Sequence, residues 1–248
     1  MPALIFFDID KTLTSSKQPL TPEMAALLGQ LLERTNVAII SGGAFAQFRE
    51  QIINQLPHGV CLERLYILPT SGAALYTYRD GMWKPVYEEH LTDAQTIKIK
   101  DAIETAIRET SVIDLSVPSF GDRIELRGAQ VTLSALGQQA PIAEKEAWDP
   151  DASKKRILRD AIAPMLPEFD VKTGGSTSID VTLQGVNKAY GVRKVGELCS
   201  FLISDMLYIG DALYPGGNDE VVKETGIRTH QVKDPEDTMR VIQEILVR

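Results

Sequence analysis

Cysteine is scarce in this chain of 248 residues, which contains only Cys61 and Cys199. The two lie far apart and lack the spacing of metal ligands, so we expect packed thiols in a reducing cytosol and not a disulfide. Histidine is almost as rare, and its three copies share no spacing that would assign them a role. The sequence therefore offers neither a disulfide framework nor a histidine or cysteine metal site.

Excess positive charge and long apolar runs are also lacking. The formal net charge is −8, which argues against nucleic-acid and anionic-membrane partners because both need a basic surface. A small anionic substrate is not excluded, since local charge decides its binding. The apolar run near the N-terminus is too short for a signal peptide or a membrane span, and Asp8 interrupts it. We therefore expect a soluble cytoplasmic protein.

Short apolar runs recur along the chain, each followed by a turn and a helical pattern. They occupy residues 3–7, 36–40, 65–68 and 206–209, and a further short strand is predicted near 227–232. Helices are predicted to start at Thr21-Pro22-Glu23 and at Asp234-Pro235-Glu236, and an amphipathic stretch covers 44–55. Continuous apolar strands that alternate with helices predict an α/β class with a parallel sheet covered on both faces.

The middle of the chain has alternating strands in place of solidly apolar ones. Residues 122–127, 130–134 and 178–183 each place apolar side chains on one face and polar ones on the other. Two helices could cover the apolar face, at 92–110 and 151–162, the first opened by a Thr92–Gln95 capping box. We predict a core at 1–83 and 186–248, interrupted by an inserted α+β domain at 84–185.

Carboxylates and hydroxyls follow the predicted parallel strands. In strand order they are Asp8 and Asp10, Ser41, Thr70 and Ser71, and Asp211. Ligands bind beyond the carboxyl ends of parallel strands, so these side chains would converge on one edge. The carboxylates would repel one another unless a cation lay between them, and Mg²⁺ favours carboxylate and phosphate oxygens. Taken alone, Asp8 and Asp10 fit a strand end that frays into solvent equally well.

Four motifs in order resemble those of the haloacid dehalogenase superfamily of phosphotransferases. They are Asp8-x-Asp10-x-Thr12-Leu13-Thr14, Ser41, Lys188 in GVNKAYG, and GDALYPGGND at 210–219. GGSTSIDV and KDPEDT add a resemblance to the eukaryotic-type phosphomannomutase branch of subclass IIB. The resemblance covers nearly the whole chain, and it implies a Rossmann-like core with an inserted α+β cap domain of the C2 type.

The resemblance also implies roles for residues of the core. Asp8 would be the nucleophile that forms an aspartyl phosphate, and Asp10 the general acid and then base. Mg²⁺ would be held by Asp8, Asp211 and the backbone carbonyl of Asp10. The implied phosphate-binding residues are Thr12, Ser41, Gly42 and Lys188, and those implied to orient Lys188 and the metal's surroundings are Asn218 and Asp219. Taken alone, residues 41–43 could be a plain turn and Lys188 a solvated surface lysine.

In the cap the resemblance points to Ser134, Ser178 and Asp180 as residues that bind a phosphorylated sugar. Arg123 and Arg127 share a strand face and could grip a second anion or sugar hydroxyls. An equally plausible role for either arginine is pairing with Glu125 or a neighbour. The mutases of this branch dimerise through their caps, so a homodimer is a further expectation.

The chain departs from the mutase pattern where a second phosphate would be held. Gln138 stands in place of the arginine that ends the S-P-I-G-R segment of the mutases, and Lys17 replaces another arginine. Lys11 separately replaces the usual glycine after Asp10, and the sequence assigns it no contact. Weaker binding of the distal phosphate would make water a better acceptor. We therefore predict a Mg²⁺-dependent sugar phosphatase, with a hexose-phosphate mutase as the alternative. A non-catalytic sugar-phosphate-binding protein is disfavoured because the four catalytic-motif residues are all present.

Overall fold

The computed structural model describes residues 1–15 and 18–247. The chain forms two compact units: the core unit, Met1–Glu88 with Val186–Arg248, and the inserted unit, Glu89–Gly185. The second boundary coincides with the sequence prediction. The first lies five residues later than predicted, because residues Met82–Glu88 form a strand that pairs within the core unit.

In its described residues, the first part of the core unit contains five strands and two helices. The strands are β1 (Leu4–Phe7), β2 (Asn36–Ile40), β3 (Leu65–Leu68), β4 (Ala74–Arg79) and β5 (Met82–Glu88), and the helices are α1 (Pro22–Arg34) and α2 (Phe45–Gln51). Thr21 caps α1 by accepting a hydrogen bond from the Met24 amide at 3.3 Å. The helix predicted over 44–55 is shorter, since α2 ends at Gln51 and a separate 3₁₀ turn follows at Ile53–Gln55.

The inserted unit is an antiparallel sheet with helices packed on its apolar face. Its elements are α3 (Asp93–Thr110), β6 (Ile124–Leu126), β7 (Gln130–Ser134), α4 (Ile142–Trp148), α5 (Ser153–Ile162), β8 (Phe169–Thr173) and β9 (Ser178–Leu183), and the sheet order is β6-β7-β9-β8. Val131 and Leu133 of β7 pack with Ile103 of α3 and Leu158 of α5. The predicted one-sided sheet with two covering helices is present, while α4 and β8 were not predicted.

The chain returns to the core unit with α6 (Lys188–Cys199), β10 (Met206–Gly210), β11 (Arg228–Gln231) and α7 (Pro235–Val247). The core sheet has the order β11-β10-β1-β2-β3-β4-β5. The strands from β11 to β3 are parallel, as predicted, and β4 and β5 continue the sheet antiparallel. The class is therefore α/β with a sheet dominated by parallel strands.

Successive side chains of β1 point to opposite sides of the core sheet, and both sides are buried. Ile5 and Phe7 pack with α1, α2 and α7 residues, while Leu4 and Phe6 pack with Val192 of α6. This two-sided burial explains why the parallel strands read as continuous apolar runs. Within residues 1–15 and 18–247, no helix combines the length and apolar character that a membrane crossing needs.

Candidate active site

Three adjacent parallel strands of the core unit end in polar residues. Asp8 follows β1, Asp211 follows β10 and Ser41 follows β2, and β1 pairs with both of the other strands. The Asp8 amide donates to the Ile209 carbonyl at 3.2 Å, so it continues the β1–β10 ladder. The ordered backbone brings these side chains to one edge of the sheet and rules out a frayed strand end at Asp8.

Lys188 connects two buried carboxylates. It is the first residue of α6, and its Nζ lies 2.5 Å from Asp8 Oδ1 and 2.5 Å from Asp219 Oδ1. Lys188 is 3% exposed, and the two acids are 4% and 0% exposed. The interpretation of Lys188 as a solvated surface lysine is therefore wrong. An ammonium at a helix N-terminus is unfavourable unless anions face it, and two do.

A cluster of carboxylates surrounds this ion pair. Asp8, Asp211 and Asp219 each offer an oxygen, and these oxygens lie within 4.8 Å of one another. Thr12 Oγ1 accepts from the Asp211 amide at 3.0 Å and donates to Asp211 Oδ1 at 3.4 Å. Thr12 therefore orients Asp211. Asp10 lies two residues after Asp8 in the sequence. It is half-buried and forms an isolated β-bridge with Thr14.

The electrostatics of the cluster show a shortage of positive charge. Burial raises the pKa of Asp8 from 3.8 to about 7, opposed by the Lys188 ammonium and reinforced by Asp219. Burial likewise raises the pKa of Asp211, again reinforced by Asp219. Burial alone would lower the pKa of Lys188, but Asp8 and Asp219 outweigh it and raise that pKa. Lys188 is thus a fixed positive charge shared among more than one carboxylate.

The donor set fits a hard divalent cation. Both oxygens of Asp219 accept hydrogen bonds, from Lys188 and Tyr208 at Oδ1 and from the Ala212 amide at Oδ2. Asp8 and Asp211 are less fully occupied, because Lys188 holds one oxygen of the first and Thr12 one oxygen of the second. Carboxylate oxygens are the ligands that Mg²⁺ prefers. Asp8 and Asp211 are therefore the better placed ligands, with Asp219 turned toward Lys188.

Sequence reasoning missed Tyr208 and Gly210 of β10. The Tyr208 hydroxyl donates to Asp219 Oδ1 at 2.6 Å, although the residue reads in sequence as part of an apolar strand. A Cβ at Gly210 would lie 2.4 Å from Asp219 Oδ2, so the glycine leaves room for that carboxylate. Asn218, predicted to help orient Lys188, is exposed.

The loop after β2 is connected to the loop after β3. The Ser71 amide donates to the Ser41 carbonyl at 2.8 Å, and the Thr70 amide donates to the Gly43 carbonyl at 2.9 Å. Thr70 and Ser71 have left-handed backbones, with φ of 51° and 56°. Two such residues in succession are costly without glycine, which marks this turn as one that the surrounding structure imposes. A Cβ at Gly42 would meet only Ser71 Oγ, at 3.7 Å, so the Gly42 backbone has open space beside it.

Both arginines predicted to bind substrate are engaged within the inserted unit. Arg123 donates from Nε to the Ala135 carbonyl and from Nη2 to the Val117 carbonyl, each at 3.0 Å. Arg127 donates from Nε and Nη2 to Glu125 Oε2, at 2.9 and 2.5 Å. Arg127 therefore makes the alternative pairing with Glu125. Lys17, which replaces another arginine of the mutases, lies outside the described residues.

The other three predicted residues of the inserted unit lie together on the polar face of its sheet. Ser134 and Ser178 are cross-strand partners on β7 and β9, with their hydroxyl oxygens 3.4 Å apart. Asp180 Oδ1 accepts from Thr132 Oγ1 at 2.8 Å and from Gln130 Nε2 at 2.9 Å. Burial raises the pKa of Asp180, opposed by the Thr132 hydrogen bond. The three residues thus form one polar strip within this unit.

Comparison with known proteins gives two kinds of match: solved structures that share the fold of this chain, and proteins related to it more closely in sequence. In fold, the chain is similar to an N-terminally truncated IMP-nucleotidase of Plasmodium falciparum (18% identity, TM-score 0.69, 98% of this chain and 70% of that one). It is also similar to a haloacid dehalogenase-like hydrolase from Bacteroides thetaiotaomicron (17% identity, TM-score 0.67, 99% and 100%). At these identities the likeness shows the fold alone.

Sequence comparison places the chain more narrowly. It is 28% identical over 255 residues to a probable phosphomannomutase of Caenorhabditis elegans, covering 98% of this chain and 95% of that protein. It is 26% identical over 249 residues to phosphomannomutase 1 of Homo sapiens, covering 98% and 91%. Residues 24–248 match the family described as eukaryotic phosphomannomutase. The chain therefore belongs to the eukaryotic phosphomannomutase family, a branch of the haloacid dehalogenase superfamily.

Proposed function

We propose that the chain is a Mg²⁺-dependent mutase of the phosphomannomutase type, which moves a phosphoryl group between the 1- and 6-positions of a hexose phosphate. The observation that carries the proposal is the buried ion pair in which Lys188 bridges Asp8 and Asp219, next to Asp211. The named relatives, matched over almost their whole length, favour the mutase over the phosphatase that the sequence departures predicted.

Asp8 is the proposed nucleophile. Its carboxylate attacks phosphorus, the bond between phosphorus and the sugar oxygen breaks, and an aspartyl phosphate forms. Lys188 holds one Asp8 oxygen at 2.5 Å and thereby fixes the direction of the carboxylate. The ammonium also offsets the negative charge that a phosphate brings toward a carboxylate. Mg²⁺, held by Asp8 and Asp211, would supply further charge neutralisation at the phosphoryl oxygens.

Asp10 is the proposed general acid and base. It gives its proton to the leaving sugar oxygen, because an alkoxide leaves poorly without one. In the second half-reaction it takes a proton from the sugar hydroxyl that attacks the aspartyl phosphate. Ser134, Ser178 and Asp180 are the proposed sugar-binding residues of the inserted unit. A homodimer through this unit and a cytoplasmic location remain predictions, the first of them checked by sedimentation velocity.

A phosphorus NMR time course tests the proposal. Mannose 1-phosphate is supplied with Mg²⁺ and a catalytic amount of hexose 1,6-bisphosphate, and the 6-phosphate resonance is expected to grow at the expense of the 1-phosphate. Asp8→Asn should remove this activity while leaving the circular-dichroism spectrum unchanged. Normal turnover in that variant would contradict the assignment of the nucleophile.

Hydrolysis is the second candidate, and a specific observation favours it. Gln138 replaces an arginine of the mutases, and its buried Nε2 has no hydrogen-bond partner in the described part of the chain. With Arg123 and Arg127 engaged within their own unit, fewer cations remain to hold a bisphosphate, and water gains as an acceptor. This candidate predicts free phosphate in the same NMR experiment, and Gln138→Arg should shift the product ratio toward the 6-phosphate.

A further inference from the structure

The geometry points to Tyr208 as a positioning residue for phosphoryl transfer at Asp8, acting through Asp219 and Lys188. The inference deepens the proposed function and rests on it. Tyr208 lies on β10 with no exposed surface, so a substrate that enters from solvent does not contact it directly. Its hydroxyl donates to Asp219 Oδ1 at 2.6 Å, and the same oxygen accepts from Lys188 Nζ at 2.5 Å. One acceptor atom therefore joins Tyr208 to the ion pair.

Tyr208 is held rigidly by the core sheet. It is the register partner of Phe6 on the parallel strand β1, and the two rings stack at 6.2 Å with an interplanar angle of 18°. Burial raises the pKa of Tyr208 well above its ordinary value, and the Asp219 and Asp8 carboxylates act in the same direction. The phenol therefore stays protonated and serves as a fixed donor.

Asp219 depends on its donors for orientation. Oδ1 accepts from Tyr208 and Lys188, and Oδ2 accepts from the Ala212 amide at 3.2 Å. The space around the carboxylate is tight on the Gly210 side, where a Cβ would come within 2.4 Å of Oδ2. Removing the Tyr208 hydroxyl would leave Oδ1 with the Lys188 ammonium as its strongest donor, and the carboxylate would draw that ammonium away from Asp8.

The position of Lys188 matters because its ammonium has three N–H bonds. Two point to Asp8 and Asp219, which leaves the third for a phosphoryl oxygen. A shift of Lys188 toward Asp219 weakens its hold on both the nucleophile and the transferring group. The in-line alignment of that group with Asp8 is reached only in the transition state, so the loss should appear in kcat more than in KM.

Tyr208→Phe removes the hydroxyl and keeps the ring, and Tyr66→Phe is the matched control. Tyr66 is a second buried tyrosine in the same hydrophobic cluster, and it makes no contact with the Asp8 cluster in the described residues. Mannose 1-phosphate consumption with saturating Mg²⁺ is measured for both variants, counting 6-phosphate and free phosphate together. For Tyr208→Phe we expect kcat to fall about 10- to 100-fold, the range seen when a residue that orients a site ligand is changed. KM should stay within about twofold, and Tyr66→Phe should match the wild type.

A double-mutant cycle with Asp219→Asn separates positioning from a merely structural role. If Tyr208 acts through Asp219, Tyr208→Phe should add little to the kcat loss of Asp219→Asn. The inference is overturned if Tyr208→Phe and Tyr66→Phe have equal kcat. It is also overturned if Tyr208→Phe lowers kcat by the same factor in the Asp219→Asn background as in the wild type. If Asp219→Asn has no measurable activity, the comparison of Tyr208→Phe with Tyr66→Phe alone decides whether the inference stands. A wild type that consumes no hexose phosphate refutes the proposed function itself, which is a distinct outcome.

Discussion

Replacing Lys188 with methionine tests whether the core unit is built around one buried positive charge. Methionine has a similar length and no charge, so the packing of α6 is retained while the cation is lost. Asp8 and Asp219, both buried, would then face each other without a counter-ion. Breaking a buried ion pair in this way typically costs about 3–5 kcal/mol of unfolding free energy.

The pH dependence gives the prediction its sign. The folded-state pKa of Asp8 is raised from 3.8 to about 7, so ionising Asp8 lowers stability, and that loss is complete once pH exceeds the folded-state pKa. Without Lys188 the pKa of Asp8 must rise further. Above pH 7 the variant therefore continues to lose stability, by about 1.4 kcal/mol per pH unit, where the wild type no longer does. The difference between the two proteins should be smallest near pH 5.

Urea unfolding between pH 5 and 9 in the presence of a chelator measures this difference without bound divalent cations. Lys194→Met is the matched control, since Lys194 lies on the same helix, is half-buried and makes only surface contacts, a 3.7 Å approach to Glu197 and a position 5.5 Å from the centre of the Tyr190 ring. We expect the control to change stability by less than about 0.5 kcal/mol at every pH. A Lys188→Met difference that does not grow with pH would refute the argument that Lys188 compensates buried carboxylates.

Three further substitutions have defined outcomes. Lys11 has a left-handed backbone with φ of 61°, so Lys11→Gly should raise the urea midpoint by the equivalent of about 1 kcal/mol; a lower midpoint would contradict this. Gly210→Ala places a Cβ 2.4 Å from Asp219 Oδ2, and kcat in the NMR assay should fall about 10-fold or more; an unchanged kcat would show that Asp219 can move without loss. Asp180→Asn keeps the acceptor at Oδ1 and removes a carboxyl group whose pKa is raised by burial. The stability of the variant relative to the wild type should therefore increase as pH rises from 4 to 8. A stability difference that is independent of pH would exclude this cause.

The elements that could be predicted from sequence are those specified by neighbouring residues. Thr92 and Gln95 form the predicted capping box at the start of α3, with both reciprocal hydrogen bonds present. In β7, Val131 and Leu133 enter the apolar core and alternate with Thr132 and Ser134, as the period of two requires. Such signals lie within a few residues of each other, so a single sequence contains them in full.

The β4–β5 hairpin was missed although its turn carries a recognisable signal. Asp80 and Gly81 both have positive φ, 54° and 77°, which is the backbone of a two-residue hairpin turn. Pro85 and the largely exposed side chains of β5 are atypical of an interior strand. Both features are tolerated because β5 is an edge strand, where one side of the backbone needs no partner.

The candidate site also contains positions that the sequence predicts and contacts that it does not. The positions of Asp8, Ser41 and Asp211 follow from strand ends and parallel pairing, and the sequence motifs are enough to predict them. The contacts of Lys188 with Asp8 and Asp219 join residues far apart in the chain, and the resemblance implied only that these groups work together. The Tyr208 hydroxyl was beyond prediction, because its contact depends on the register of β10 against β1 and on the space beside Gly210.

Mutase and phosphatase share the first half-reaction, and that half is where the chain keeps the family's residues. Asp8, Lys188, Asp211 and Asp219 form one connected set in the core unit. Gln138, by contrast, replaces an arginine to which the resemblance to the mutases assigns retention of a second phosphate. The Asp8 cluster belongs to the core unit and Gln138 to the inserted unit. Under the proposed function, total consumption of hexose phosphate therefore reports on the Asp8 cluster. The ratio of 6-phosphate to free phosphate reports on retention of the intermediate, so the two quantities separate the chemistry of the chain from its choice of acceptor.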